Sequence, residues 1–324
     1  MSEKIFITGG LGFIGAFTAK KLLEMGDKVI VYDLLKNFVI APAANNYLDF
    51  LHQRIRPLKG KAQIIEGDIR DASRLSRAIN QSKPDKVIHF AGLPIADISD
   101  QLPDEAISIN FQGTANLLQA VADLKPKLKR FINISSSMVY GDFQSTPADE
   151  NHPTLPKGIY GITKLGAEHL TRFYSQRFGF PYITLRPSAV YGPTDSNQRV
   201  VQIFIESAKQ GKPIILHDGG RGKLDFTYID DLVQGVILAL KTDKIKNETF
   251  NLTFGQGRSL AELAQIIKSY FPKTKIISRT IAAELKRPKR GTMNITKAKK
   301  LLGYRPQYPL EKGVAEYLKF FQTI

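Results

Sequence analysis

The sequence predicts an α/β protein: a doubly wound parallel sheet with a smaller, mostly helical lobe at its C-terminal end. Short apolar runs alternate with segments of helical length through the first half of the chain. Glycine-rich turns follow several of these runs, and beyond residue 186 the alternation becomes irregular. Apolar strands that lead through glycine turns into helices are typical of parallel sheets covered by helices on both faces.

The composition excludes several classes of protein. The 324 residues are 43% hydrophobic and 23% charged, which suits one large or two modest globular domains. The chain has no cysteine and its five histidines form no metal-spaced cluster, so we expect neither disulfides nor a metal. The N-terminus has no signal-peptide pattern, and no apolar run reaches the length of a membrane span. We therefore expect a cytoplasmic protein without a membrane partner.

The chain is strongly basic. Its formal net charge is +16, and basic residues concentrate near the C-terminus, as in Arg287-Pro288-Lys289-Arg290. A solvated surface explains such a balance, and so does a substrate that carries phosphate. No recognised nucleic-acid module is present, so no nucleic-acid partner is expected.

The first unit of the chain combines a strand, a glycine turn and a helix. Residues 4–8 read as a buried strand, and Gly9, Gly12 and Gly15 follow in a turn that opens a helix ending near Gly26. Glycines permit the tight turn and let backbone N–H groups approach a pyrophosphate, while the helix N-terminus contributes positive charge. This arrangement predicts a dinucleotide site.

An acidic residue, Asp33, ends the second predicted strand, residues 28–33. A carboxylate about 20 residues after the glycine turn can accept hydrogen bonds from a ribose diol. It also repels a ribose 2′-phosphate, which favours NAD over NADP as the cofactor. Lys36 lies nearby and weakens that preference.

Further strands and helices continue the pattern. Strands are predicted at 62–66, 86–90, 131–134 and 182–186, and helices at 46–54, 103–123 and 159–178. Asp68 follows the third strand, where it can meet an adenine amino group, cap the next helix, or do both. Ala91 and Gly92 follow the fourth strand, and such small residues leave room for a cofactor.

The second half of the chain is predicted to be mainly helical. Helices are expected at 200–210, 232–241, 259–270, 296–302 and 311–322, strands at 249–252 and 275–278, and a flexible basic loop at 218–223. The strand at 249–252 can return to the sheet. We predict an NAD-binding domain of residues 1–186 plus about 226–253, and a substrate-binding lobe of residues 187–225 and 254–324.

Three side chains near the fifth strand form a candidate catalytic group. Ser136 follows that strand, and Tyr160 and Lys164 are one turn apart on one face of the helix predicted at 159–178. A neighbouring ammonium stabilises a phenolate, so Lys164 is expected to lower the pKa of the Tyr160 phenol. The Ser136 hydroxyl can bond the same substrate oxygen. This chemistry suits oxidation of an alcohol or reduction of a ketone with a hydride-carrying cofactor.

Along nearly its whole length the chain resembles the extended short-chain dehydrogenase/reductases, specifically the nucleotide-sugar epimerase/dehydratase group. The matching motifs are Gly9-x-x-Gly12-x-x-Gly15, Asp33, Gly67-Asp68-Ile69, Phe90-Ala91-Gly92, Asn110, Ser135-Ser136-Ser137-x-Val139-Tyr140-Gly141, Tyr160-x-x-x-Lys164, Arg186-Pro187-x-x-Val190-Tyr191-Gly192-Pro193, Asp225-Phe226-x-Tyr228-Ile229-Asp230-Asp231 and Arg287-Pro288. The resemblance implies a Rossmann fold, tightly bound NAD, a nucleotide-sugar substrate and a homodimer.

The resemblance also assigns roles to individual residues. The catalytic residues would be Ser136, Tyr160 and Lys164. The cofactor-binding residues would be Gly9, Gly12, Phe13, Ile14, Gly15, Asp33, Asp68, Ile69, Ala91, Gly92, Asn110, Ser135, Tyr160, Lys164 and Pro187. The substrate-binding residues would be Ser136, Ser137, Tyr160, Arg221, Lys223 and Arg287.

Within this family the resemblance favours C4 epimerisation of a UDP-sugar through a transient 4-keto intermediate. Members that dehydrate or decarboxylate their sugars carry acids where this chain has Ser137 and Met138. Members that act as 3,5-epimerase–reductases use a cysteine, which this chain lacks. Two departures concern the diphosphate: Ala189 replaces a frequent asparagine, and Leu224 replaces an arginine for which Arg221 and Lys223 can substitute.

Two other functions stay open. A net reductase or dehydrogenase of a keto sugar or other carbonyl compound would use the same three side chains, and a substrate without diphosphate would explain Ala189 and Leu224. A non-catalytic protein that senses NAD or serves as a scaffold is the third hypothesis. The intact group of Ser136, Tyr160 and Lys164 argues against it.

Overall fold

A seven-stranded parallel sheet forms the centre of the computed structural model, which describes residues 2–35, 44–124, 127–280 and 287–322. The strands are β1 (Lys4–Thr8), β2 (Lys28–Asp33), β3 (Gln63–Glu66), β4 (Lys86–His89), β5 (Arg130–Ile134), β6 (Tyr182–Pro187), β7 (Val190–Tyr191), β8 (Ile214–His217), β9 (Lys223–Asp225), β10 (Thr227–Tyr228), β11 (Glu248–Leu252), β12 (Gly257–Ser259) and β13 (Ile276–Arg279). The central sheet has the order β11-β6-β5-β4-β1-β2-β3, and every neighbouring pair is parallel. The predicted doubly wound sheet is confirmed, and so is the return of 249–252 to it.

Helices cover both faces of this sheet and build the C-terminal lobe. They are α1 (Phe13–Glu24), α2 (Ala44–Ile55), α3 (Ala72–Ser82), α4 (Ala96–Gln101), α5 (Pro103–Ala106), α6 (Gly113–Ala122), α7 (Ile159–Phe178), α8 (Val200–Lys209), α9 (Ile229–Lys241), α10 (Leu260–Tyr270), α11 (Thr296–Leu302) and α12 (Leu310–Gln322). On β1, Ile5 and Ile7 pack into one apolar core and Phe6 into the other, because successive strand residues point to opposite faces.

Two classes of feature are absent from the part of the chain that the structure describes. None of its helices is both long enough and apolar enough to cross a membrane. No group of three or more histidine, aspartate or glutamate side chains is placed there to hold a metal ion.

The long helix predicted at 103–123 is interrupted. The structure divides it into α5, a π-helical segment at Ile107–Gln112, and α6. Within the segment, the carbonyl oxygen of Asn110 accepts a hydrogen bond from the Thr114 hydroxyl at 2.6 Å. A π-helical turn changes the local helical repeat, so an apolar pattern read at 3.6 residues per turn does not detect it.

The C-terminal lobe contains more strand than predicted. Strand β13 confirms the strand predicted at 275–278 and pairs parallel with β8, while β9 and β12 pair antiparallel; β8, β9 and β12 were not predicted. The loop predicted at 218–223 is instead a 3₁₀ turn at Asp218–Gly220 followed by β9. Strands of three or four residues are too short to show an alternating pattern in the sequence, which explains the error.

A buried carboxylate, Asp225, ties the lobe together. It is fully buried at the end of β9 and accepts hydrogen bonds from the backbone N–H groups of Gly255 at 3.0 Å and Met293 at 2.9 Å. Burial raises the pKa of Asp225 to about 6, while these two bonds and others from Gln256 and Thr253 act to lower it. Asp225 thereby holds residues 289–293, hereafter the strap, against β9.

The variant Asp225→Ala is expected to lower the free energy of unfolding by about 3 kcal/mol, because the buried N–H of Met293 loses its acceptor and the N–H of Gly255 keeps only Thr253 Oγ1. Urea denaturation followed by circular dichroism measures this change. As a control, Glu24→Ala removes only exposed ion pairs of 3.7 and 3.8 Å and should shift stability by less than about 0.5 kcal/mol. Equal stability of the two variants would contradict the role of Asp225.

Candidate active site

The glycine turn after β1 is packed too tightly for side chains. A Cβ on Gly15 would lie 2.2 Å from the carbonyl oxygen of Gly9, and one on Gly9 would lie 2.6 Å from the backbone nitrogen of Ala91. Gly9 also has a φ of +67°, a left-handed conformation that favours glycine. Gly12 directly precedes α1, so the turn presents N–H groups at a helix N-terminus, where phosphate groups bind well.

Asp33 lies beside this turn at the end of β2. One carboxylate oxygen accepts a hydrogen bond from the Leu11 N–H at 2.8 Å, and the other accepts one from the Leu35 N–H at 2.9 Å. Burial raises the pKa of Asp33, and these bonds oppose the shift. A third bond comes from the Gly12 backbone, and since a carboxylate has about four acceptor sites, Asp33 can still accept from another donor such as a ribose hydroxyl. Lys36, weighed above as a neighbour, lies outside the described residues.

Gly92, Asn110 and Lys164 meet at the carboxyl end of β4. A Cβ on Gly92 would lie 2.9 Å from Asn110 Oδ1 and 3.6 Å from Lys164 Nζ. Asn110 accepts a hydrogen bond from the Leu93 N–H at 2.7 Å and donates one to Thr163 Oγ1 at 3.2 Å, so it joins the loop after β4 to α7. A dinucleotide fits this set: N–H groups for phosphate, a carboxylate for ribose, and an ammonium beside a glycine.

Lys164 reaches from α7 to the end of β5. Its ammonium donates a hydrogen bond to the carbonyl oxygen of Ile134 at 2.7 Å, and the residue is only 7% exposed. Burial lowers the pKa of Lys164 to about 8, and the charge of Glu168 opposes that shift. An ammonium has three N–H donors, so this bond leaves donors for a ligand.

Tyr160 is half-buried one turn before Lys164, and its phenol responds to groups that the spacing did not reveal. Burial raises its pKa, while Arg199, the Ser136 side chain and Arg290 act to lower it. The Lys164 ammonium donates its hydrogen bond to the end of β5, and its expected effect on the pKa of Tyr160 stays a prediction. The cations that favour the phenolate come from other segments of the chain.

Ser136 and Ser137 follow β5 as predicted, at the start of a 3₁₀ turn, Ser137–Tyr140. Ser136 Oγ accepts a hydrogen bond from the Met138 N–H at 3.1 Å, and the same side chain hydrogen-bonds the Tyr160 phenol, so its proton can pass to that oxygen or to a ligand oxygen in its place. The Ser137 hydroxyl is buried and has no hydrogen-bond partner within the described part of the chain. Both hydroxyls can therefore serve a ligand.

A buried ion pair connects the elements that carry these residues. Glu168, one turn beyond Lys164, pairs with Arg186 at 2.7 Å, and the two side chains are 10% and 7% exposed. Glu168 also accepts a hydrogen bond from Ser135 Oγ at 2.5 Å, while Arg186 donates one to the Tyr140 hydroxyl at 2.9 Å. The network joins α7, the end of β5 and β6 into one rigid unit.

Asp68 does not cap the helix that follows it. It pairs with Arg70 at 2.6 Å, whereas Asp71 caps α3 by accepting a hydrogen bond from the Arg74 N–H at 2.9 Å. The capping alternative is wrong because α3 starts four residues after Asp68 and Asp71 precedes it directly. The adenine contact of Asp68 stays a prediction.

The remaining predicted cofactor residues lie along the carboxyl edge of the sheet or support it. Ile69 is buried, and a Cβ on Gly113 of α6 would lie 2.6 Å from its side chain. Phe13 and Ile14 form the first turn of α1, and Pro187 ends β6. Their contacts with a cofactor remain predictions.

The three cations predicted to bind substrate are either exposed or already paired with a carboxylate. Arg221 and Lys223 are exposed around the start of β9, and Arg287 forms an ion pair with Asp97 of α4. Arg290, three residues beyond Arg287, instead acts on the Tyr160 phenol. The sequence placed Arg290 only within a basic run.

Three functional candidates were not predicted from the sequence: Glu168, Arg199 and Arg290. Only Glu168 has a signal in the sequence pattern. Glu168 continues the four-residue spacing of Tyr160 and Lys164 along one helix face, so the pattern contained a signal for it. Arg199 and Arg290 come from α8's N-cap and the strap, and only the tertiary structure relates them to Tyr160.

Comparison with known proteins relates the whole chain to one family. Residues 6–317 match the sequence model of the family described as GDP-mannose 4,6 dehydratase. The chain is 32% identical over 326 residues to a putative UDP-glucose 4-epimerase of Methanocaldococcus jannaschii, with 98% of each chain covered. It is 27% identical to a dTDP-glucose 4,6-dehydratase of Xanthomonas campestris pv. campestris, covering 98% of this chain and 92% of that one. Its relatives thus include epimerases and dehydratases.

A solved structure shares the entire fold. The crystal structure of UDP-glucuronic acid 4-epimerase from Bacillus cereus, in complex with UDP-glucuronic acid and NAD, is 29% identical in sequence. It aligns with a TM-score of 0.89 over 99% of each chain. This agreement confirms the predicted Rossmann-type fold.

The variant Glu168→Gln is expected to lower the free energy of unfolding by about 3 kcal/mol, because it leaves the buried Arg186 guanidinium without its counter-charge. Urea denaturation measures the loss. The matched control, Glu316→Gln, breaks an exposed pair with Lys319 and should change stability by less than about 0.5 kcal/mol. A loss below about 1 kcal/mol in Glu168→Gln would argue against a supporting role for the pair.

Proposed function

The chain belongs to the GDP-mannose 4,6-dehydratase family of extended short-chain dehydrogenase/reductases, and we propose that it is an NAD-dependent nucleotide-sugar epimerase that inverts C4 of a UDP-sugar. The observation that carries this proposal is the group of Tyr160, Lys164 and Ser136 at the sheet edge, with Gly92 leaving space beside the Lys164 ammonium. Similarity to a putative UDP-glucose 4-epimerase over 98% of the chain supports it.

The cofactor of this proposal is NAD, which is bound in the related Bacillus cereus epimerase. The glycine turn around Gly9 and Gly15 would hold the pyrophosphate, and Asp33 would hold the adenosine ribose. Lys164 would hold the nicotinamide ribose. When bound, NAD⁺ would supply the acceptor for the hydride that leaves C4 of the sugar and, once reduced, the donor that returns it to the other face of the ketone.

The protein's own side chains would manage the proton. Tyr160, as phenolate, accepts the proton of the C4 hydroxyl, and the Ser136 hydroxyl donates a hydrogen bond to the same sugar oxygen. Burial raises the pKa of Tyr160, and the nearby charges of Arg199 and Arg290 oppose that rise, so they favour the phenolate form that this step requires. After the 4-keto sugar turns over in the pocket, Tyr160 returns the proton to the new hydroxyl.

Epimerisation is favoured over dehydration by the residues that follow Ser136. A dehydratase must protonate a leaving hydroxyl, which requires an acid close to the sugar. Ser137 and Met138 occupy the first positions of the 3₁₀ turn there, and neither side chain can deliver a proton at neutral pH. In this proposal, the relatives named as dehydratases share the fold and the cofactor chemistry of this chain but not its reaction.

Each of the two predicted regions would bind one of the two ligands. Residues 1–186 with about 226–253 would bind NAD, and residues 187–225 and 254–324 would bind the nucleotide sugar. The position of β11 within the central sheet supports the inclusion of 226–253 in the first region.

A homodimer is part of the proposal. Ile162 and Phe173 on α7 are 52% and 53% exposed, and Ile107 and Phe111 on the π-helical segment are 45% and 38% exposed. Phe111 packs over Gly166 of α7, where a Cβ would lie 2.8 Å from the ring. These residues form an apolar face across two packed helices, which a second copy of the chain can cover.

The variant Tyr160→Phe is expected to lower kcat for epimerisation by about 10³-fold, because it lacks the group that exchanges the proton. Chromatographic separation of the two C4 epimers measures the rate, starting from UDP-glucose and UDP-glucuronate. Tyr270→Phe, which alters a half-exposed tyrosine on α10, should retain wild-type turnover. Full turnover by Tyr160→Phe, or steady consumption of NADH by the wild type without an epimer, would reject the epimerase.

The pH dependence of kcat/KM should fall above about pH 8. Lysine carries its charge below its pKa, and burial lowers the pKa of Lys164 to about 8, so the ammonium is lost as the pH rises through that value. In Lys164→Arg the guanidinium stays charged, so the decline should move beyond pH 9.5 even if activity is reduced. An identical decline in the wild type and Lys164→Arg would assign it to another group.

A further inference from the structure

The two-stranded sheet of β8 and β13 has one face toward the core and one face away from it. Ile214 of β8 is buried in the larger apolar core, and Ile276 of β13 packs against the same core. Because successive strand residues point to opposite faces, the other face carries Lys275, Ile277 and Arg279. All three of these side chains are exposed.

Strand β8 contributes two residues to the same face. The parallel register places Ile215 beside Ile277 and His217 beside Arg279. The Lys275 carbonyl accepts a hydrogen bond from the first N–H of β8 at 2.9 Å, so this lysine also belongs to the paired region. These five residues are hereafter the outer face.

Positive charge accumulates on and around the outer face. Residues 207–217 and 263–280 contain six lysines and arginines and no aspartate or glutamate. Within the described residues, Lys273, Lys275 and Arg279 form no ion pair and no other charged contact. The cations of this surface are therefore not neutralised by the fold itself.

The carboxylates nearest to these segments in the sequence are engaged by other groups. Glu206 of α8 accepts a hydrogen bond from Gln202 at 2.8 Å, and Glu262 of α10 pairs with Arg258 at 2.7 Å. Asp218, which directly follows β8, also has an interaction partner. The charge of the outer face is thus complementary to an anionic partner outside this chain.

Apolar side chains lie among these cations. Ile277 is 39% exposed between Lys275 and Arg279, and Tyr270 at the end of α10 is 50% exposed. Basic side chains around exposed apolar groups suit an anionic membrane, because the cations meet the headgroups while the apolar groups enter the boundary of the acyl chains. Nucleic acid matches less well, since bases stack on aromatic rings and the centre of the outer face is aliphatic.

We propose that the outer face attaches the protein to the surface of a membrane that carries anionic lipids. Such an attachment is peripheral and needs no membrane-spanning segment. It revises the expectation of no membrane partner, which rested on the lengths of apolar runs. The inference is independent of the proposed reaction, because none of the residues that carry it is assigned to the active site.

Flotation of the full chain with lipid vesicles tests the attachment. Vesicles of phosphatidylglycerol and phosphatidylcholine in equal parts should bind the protein at about 50 mM salt, and about 0.5 M salt should release it. Vesicles of phosphatidylcholine alone should not bind it. Each basic residue near an anionic surface strengthens binding roughly fivefold, so the face variant Lys273→Gln/Lys275→Gln/Arg279→Gln should bind about 100-fold more weakly.

A matched control separates the outer face from the general charge of the protein. The control variant Lys59→Gln/Lys61→Gln/Lys246→Gln removes three exposed lysines from other parts of the chain and lowers the net charge equally. Its vesicle binding should stay within about twofold of the wild type, in contrast to the face variant. Urea denaturation curves that match the wild type show that both variants are folded.

Three results would overturn the inference. The first is equal weakening of vesicle binding in the face variant and the control variant. The second is the absence of flotation with anionic vesicles, or equal flotation with neutral ones. The third is tighter binding to a single-stranded oligonucleotide than to the anionic vesicles at the same salt, lost in the face variant, which would assign the outer face to nucleic acid.

Discussion

The hydrogen bond from the Lys164 ammonium to the carbonyl oxygen of Ile134 determines the arrangement of the site. At 2.7 Å it pins α7 to the carboxyl end of β5, and Tyr160 is carried on the same helix one turn away. The ammonium is almost fully buried, so protein groups rather than water must stabilise its charge. The Ile134 carbonyl and the nearby charge of Glu168 meet that need, and the bare backbone of Gly92 keeps one side of the ammonium open.

The hydrogen-bond and ion-pair network of Glu168 and Arg186 explains how the buried Lys164 ammonium is stabilised at the end of the sheet. Glu168 opposes the effect of burial on Lys164, yet its own charge is balanced by Arg186. Because Glu168 also bonds Ser135, one carboxylate links the helix to the strand end from which the Ser136 hydroxyl extends. Positioning and charge balance thus depend on the same few atoms, as expected for a site that must be rigid before its ligands arrive.

Much of the fold could be predicted from the sequence because its signals are local. Buried strands such as β1 read as apolar runs, and Gly15 is required by a clash that any side chain would cause. What could not be predicted depends on distant parts of the chain. The spacing of Tyr160 and Lys164 identified the pair but not the direction of the ammonium, and no local pattern relates the Arg290 guanidinium to the phenol. The π-helical segment was missed because its repeat differs from that of the flanking helices.

In the proposed reaction, C4 of the sugar is oxidised and then reduced within one enzyme-bound complex, and the proton passes through Tyr160. The most direct measurement follows a UDP-sugar carrying deuterium at C4 through a complete turnover in ordinary water, with mass spectrometry of the product epimer. Return of the same hydride predicts that the product retains the deuterium at C4, with no label appearing in solvent or in free cofactor. Loss of the deuterium to solvent, or its accumulation in released NADH, would contradict the claim.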